Sequence, residues 1–77
     1  MNATPPPAVI AGTKIRALRA ARRMSIHELA TRTGIDVSNL SKIERGRSET
    51  SLDRYQTIAA ALDVPLDGLF RRPRRAA

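Results

Sequence analysis

The sequence predicts an all-α fold, five short helices packed around one aliphatic core. Three observations lead there. Apolar residues recur at helical spacing in segment after segment. Start and stop signals for helices bracket those segments. Strand signals are weak, since no stretch alternates apolar and polar residues cleanly over more than a few positions. The length of 77 residues and the hydrophobic share of 42% allow one small domain with a modest core. Tyr55 and Phe70 are the only aromatic residues, so that core must be mostly aliphatic.

The first helix is expected over residues 10–23, with Ala11, Ile15 and Leu18 on one stripe and Lys14, Arg16 and Arg23 off it. Residues 1–9 read as a flexible arm, because Pro5, Pro6 and Pro7 fix φ and remove donors. Ser25 and Glu28 form a capping box at the start of the second helix, whose inner face is Ile26, Leu29, Ala30 and Thr33. Gly34 ends it by supplying the positive φ that follows a helix terminus. Asp36 caps a third helix over residues 37–45, closed by Gly46. Ser51 or Thr50 caps a fourth over residues 52–62, with Leu52, Tyr55, Ile58, Ala59 and Leu62 inward. Leu66, Leu69 and Phe70 suggest a short fifth helix starting near Pro65. Residues 10–70 are therefore the folded domain, and residues 71–77 read as a flexible arginine-rich tail.

Fourteen Lys and Arg against seven Asp and Glu give a formal charge of +7, which suggests a polyanionic partner. Four of those arginines lie in the tail, so residues 1–70 hold ten basic and seven acidic groups. The chain has no cysteine, which excludes disulfides and thiolate metal sites. With His27 as the one histidine, no zinc site and no Ser/His/Asp catalytic set is expected, so we anticipate no enzyme, metal or cofactor. No apolar run is long enough for a membrane span and the N-terminus lacks a signal-peptide pattern, so a cytoplasmic location is expected.

The second and third helices, joined by a turn containing Gly34, have the spacing of a helix-turn-helix. At 100° per residue, Leu40 and Ile43 of the third helix point inward while Ser38, Ser41, Lys42 and Arg45 share the opposite side. All four can hydrogen-bond to DNA and none is acidic, whereas a merely solvated face usually mixes signs. Glu44 lies about 40° from Leu40, at the edge of the inner stripe. A carboxylate there needs a cation. Arg19 occupies the equivalent edge of the first helix, which predicts an Arg19–Glu44 ion pair.

Residues 12–70 resemble the phage-repressor and Cro family of helix-turn-helix domains, the lambda-repressor-like or XRE group. The specific part is the segment from Ser25 to Gly46, with Glu28-Leu29-Ala30, Gly34, Leu40-Ser41 and Ile43-Glu44-Arg45-Gly46 in the family's register. The resemblance implies a compact lambda-repressor-like domain and sequence-specific binding to double-stranded DNA by a homodimer at a palindromic operator. It implies base reading by Val37, Ser38, Asn39 and Lys42. It implies phosphate contacts from Ser25, Ile26 through its N–H, Ser41, Arg45 and Arg47. An arginine–glutamate pair at the positions of Arg19 and Glu44 is also a family habit. The sequence departs from the family at Ile26 and Val37, where glutamine is common. Val37 then either touches a thymine methyl or packs on Ile26.

Other readings stand beside this one. The outer arginines of the first helix, Arg16 and Arg23, are either a solvated face or additional phosphate contacts. An antitoxin-like module would bind a partner protein first and DNA second, the partner being a toxin or RNA polymerase. The arginine tail could instead serve a membrane surface, although no membrane partner is expected.

Overall fold

The computed structural model describes residues 5–71. Residues 1–4 of the expected arm and 72–77 of the expected tail lie outside the described residues. In order along the chain come α1 (Pro7–Ala21), α2 (Ile26–Thr33), α3 (Val37–Glu44), α4 (Leu52–Ala61) and a 3-10 turn (Leu66–Leu69). The expected fifth helix is thus a single 3-10 turn. Pro65 and Gly68 flank and interrupt a four-residue segment too short to propagate α-helical hydrogen bonds.

α1 begins at Pro7 rather than Ile10, so residues 7–9, expected in the arm, form its first turn. The reason is positional. Proline at N1 loses only an N–H that has no helical partner, and its φ already suits a helix. The other end of α1 comes two residues earlier than expected. Arg23 adopts φ 53° and the Met24 N–H reaches back to the Arg19 carbonyl at 3.0 Å, closing the helix without a glycine.

Side-chain caps start the other three helices. Ser25 Oγ accepts the Glu28 N–H, an Asp36 oxygen accepts the Ser38 N–H, and Ser51 Oγ accepts the Arg54 N–H. The Ser25–Glu28 capping box forms in one direction only. The Glu28 carboxylate is taken by Arg32, one turn on, at 2.9 Å. Gly34 closes α2 at φ 72°, and Gly46 follows α3 at φ 70°.

The core unites Ala11 and Ile15 of α1, Leu29 of α2, Leu40 and Ile43 of α3, and Ile58 and Leu62 on α4, with Leu69 beneath. Tyr55 joins it, edge-on to Phe70 with ring centroids 5.0 Å apart, and burial pushes the Tyr55 phenol above its ordinary pKa. Leu52, expected to point inward, is 62% exposed. It shares the angular position of the buried Ala59 but sits in the first turn of α4, where burial depends on what lies beyond the helix end.

α1 and α3 are in tight backbone contact at Gly12. A Cβ there would lie 2.3 Å from the Ile43 carbonyl oxygen and 2.7 Å from that of Glu44. The last turn of α3 therefore rests on the backbone of α1, which fixes where α3 stands.

Candidate nucleic-acid interface

α3 has two chemically distinct sides. Leu40, Ile43 and Glu44 are buried. Ser38, Asn39, Lys42 and Arg45 are exposed, as is Arg47 just beyond, while Val37 and Ser41 are half-buried. The exposed Ser38, Lys42 and Arg45 fall at i, i+4 and i+7, one line along the helix.

The inner edge is anchored by Glu44, whose carboxylate receives two hydrogen bonds from Arg19, from Nε at 2.7 Å and from a terminal nitrogen at 3.0 Å. The third guanidinium nitrogen donates to the Met24 carbonyl at 2.9 Å. One arginine thus ties α1, the loop after it and α3. The hydrogen bond to Glu44 raises the Arg19 pKa above its ordinary value and outweighs the opposing effect of burial. At neutral pH that contribution to stability is complete, and it is lost as pH rises past the raised value.

Beside this pair lies a shallow polar depression where three helices meet. It is lined by Arg16 and Arg19 from α1, Ile26 from α2, and Ser41, Glu44 and Arg45 around α3. Ile26 is the first residue of α2, so its N–H has no intrahelical partner and the positive end of that helix opens here. Ile26 also packs against the core edge through its side chain. The structure therefore brings Ile26, Ser41 and Arg45 together around one concave spot and adds Arg16. The helical angle of Arg16 relative to Ile15 places it off the core stripe, and that was its only signal in the sequence.

At the other end of α3, the Ser38 hydroxyl is bonded to the Asp36 carboxylate, which also takes the Ser38 N–H at 3.0 Å. Sequence reasoning assigned Asp36 to capping alone. The two-residue spacing of an acid and a serine was the available clue to the second bond. The Ser38 bonds hold the Asp36 carboxyl below its ordinary pKa, the hydroxyl being the larger cause.

The helix-turn-helix family profile matches residues 15–69, which is more than half of the chain. The chain belongs to the XRE-type helix-turn-helix family of transcriptional regulators. It is 36% identical over 60 residues to the HTH-type transcriptional repressor RghR of Bacillus subtilis, covering 77% of this chain and 44% of that protein. Among solved structures it is similar to the restriction-modification controller protein C.AhdI from Aeromonas hydrophila, with TM-score 0.78, 36% identity and 82% and 96% of the two chains covered. It is also similar to the hypothetical transcription factor NHTF from Neisseria, with TM-score 0.83, 28% identity and 95% and 88% covered. The chain spans 27% to 55% of the length of three further-ranging curated relatives, RghR among them. The family match takes in α2, α3, the turn between them and both partners of the Arg19–Glu44 pair. Among the described residues no helix is long and apolar enough to cross a membrane.

Proposed function

We propose that the protein is a transcriptional regulator that binds double-stranded DNA sequence-specifically, as a homodimer on a palindromic operator. The observation that carries this reading is the division of α3, with Leu40, Ile43 and Glu44 locked inward and Ser38, Lys42 and Arg45 exposed outward. A helix so presented fits the major groove, where side chains meet base edges.

In this reading Lys42 reads a guanine edge, Ser38 and Asn39 meet neighbouring bases, and Val37 offers an apolar contact to a thymine methyl. One backbone phosphate occupies the polar depression, held by the Ile26 N–H, Ser41 and Arg45, with Arg16 as an added cation. Ser25 and Arg47 contact flanking phosphates. A single α3 reads few base pairs, so a two-fold dimer with half-sites about one helical turn apart supplies the remaining selectivity. Regulation then follows from occupancy of a promoter in the cytoplasm, with no chemistry at the site.

Enrichment of bound duplexes from a random pool tests the reading. The expected product is one motif repeated as an inverted pair, with a dimer on DNA by sedimentation. A pool that stays random overturns it. An unpaired motif removes the dimer and keeps the reader.

A further inference from the structure

The reading end of α3 carries a fixed hydrogen-bonding polarity. Ser38 Oγ and the Ser38 N–H both go to one oxygen, Oδ2, of Asp36. Asp36 is ionised at neutral pH, as an exposed aspartate ordinarily is. A carboxylate has no proton to give, so the proton shared between the two side chains is the serine's. A serine hydroxyl has only one. With it committed to Asp36, the hydroxyl presents lone pairs alone, and the carboxylate beside it likewise only accepts. Both residues are exposed, on the end of α3 that the DNA-binding reading turns toward the bases.

We propose that Asp36 is a specificity-determining residue. By holding the Ser38 proton it converts Ser38 from a donor-or-acceptor into an acceptor, and the pair selects a base edge that offers an N–H. Those edges are the N4 amino group of cytosine and the N6 amino group of adenine. Guanine, with O6 and N7, and thymine, with O4, turn acceptors toward the pair and are rejected. Without Asp36 the hydroxyl would rotate to suit any base. The inference rests on the DNA-binding reading above and adds to it which base the Ser38 position takes.

Capping by itself does not require the charge, since asparagine and serine cap helices as well as aspartate does. Glycine is tolerated at that position almost as well, so Asp36→Gly keeps the helix start while removing the acceptor, whereas Asp36→Asn keeps an amide oxygen that can still take the Ser38 proton. The experiment uses the full chain and the enriched duplex, with all four bases placed in turn at each position. The position assigned to Ser38 is the one where Ser38→Ala flattens the preference. Wild type should favour cytosine or adenine there by about tenfold, the scale of one good base contact. Asp36→Gly should flatten that position to within about threefold and leave the other positions unchanged, while Asp36→Asn should keep the preference. The double variant Asp36→Gly/Ser38→Ala should be no flatter than either single one. A wild-type preference for guanine or thymine there overturns the inference, as does a preference that persists in Asp36→Gly. A Ser38→Ala variant that changes no position overturns it too. Failure of the wild-type chain to enrich any duplex is a separate outcome, and it overturns the DNA-binding reading itself.

Discussion

Arg19 grips Glu44 by two side-by-side hydrogen bonds, at 2.7 and 3.0 Å, across a sequence separation of 25 residues. The Glu44 side chain is 6% exposed and that of Arg19 18%. Bonding of this forked kind joins two charges with fixed geometry. Removing one partner leaves the other poorly solvated. Glu44→Ala should therefore cost about 2–4 kcal/mol of stability, read from denaturant unfolding. Glu44→Gln, which keeps the shape and one acceptor, should cost less. Equal unfolding midpoints for wild type and Glu44→Ala would show that the pair contributes nothing.

Gly12→Ala sets two effects against each other. Helix propensity favours alanine by about 1 kcal/mol. The new Cβ, however, would stand 2.3 Å from one carbonyl oxygen of α3 and 2.7 Å from the next. Backbone on both sides cannot step aside as a flexible side chain can. Overpacking should win, and the variant should lose about 3 kcal/mol. A thermal midpoint at or above that of wild type would mean that α1 and α3 stand farther apart than described.

Lys42→Ala addresses the outward side of α3. Its expected loss is discrimination at one or two base positions, about 1–3 kcal/mol, with the rest of the operator read as before. Arg45→Ala should instead weaken binding on all sequences alike and reduce the salt dependence by about one counterion. Binding isotherms at several salt concentrations, on the operator and on scrambled duplex, separate the two patterns. A uniform loss for Lys42→Ala would move it to the phosphate-contacting set.

The Asp36 carboxyl offers a pH measurement. Its folded pKa is depressed, so the stability it contributes is complete above the unfolded value, about 3.9, and is lost as pH falls through the folded value. The Ser38 hydroxyl is the larger cause. Ser38→Ala should accordingly move the Asp36 titration upward in an NMR pH series. An unshifted titration would assign the depression elsewhere.

Leu52→Ala should change stability by less than about 0.5 kcal/mol, because that side chain is 62% exposed. Leu62→Ala, at the far end of the same helix and fully buried, should cost about 2–5 kcal/mol. A large effect at Leu52 in dilute solution would place it under a covering surface.

Much of this was legible in the residues, and each miss has its own physical cause. Gly34, Gly46, Ser25, Asp36 and Ser51 mark helix ends by local chemistry, and local chemistry is written in neighbouring positions. The edge angle of Glu44 and the matching edge of Arg19 made a contact across two helices legible, because a carboxylate near the core demands a cation. The end of α1 was not legible. Arg23 there takes the positive φ that sequence reasoning reserves for glycine. Leu52 was misplaced because a helical stripe gives an angle and says nothing of how far along the axis the core extends. The 3-10 turn was read as a helix because its apolar spacing over four residues suits either. The depression at the start of α2 depends on three helices converging, and no single segment encodes that. Of its lining, Ile26, Ser41 and Arg45 were named in advance through the family resemblance, while Arg16 stood only as an open alternative.

The division of α3 also bears on how such a chain can change over generations. The residues that hold the helix in place, Leu40, Ile43 and Glu44, are separate from those that face outward, Ser38, Lys42 and Arg45. Substitutions on the outward line disturb no buried contact, so they should be close to neutral for folding. If the outward line reads DNA as proposed, a lineage can explore new recognition sequences without first acquiring spare stability, and duplicated copies can diverge in their targets while sharing one scaffold.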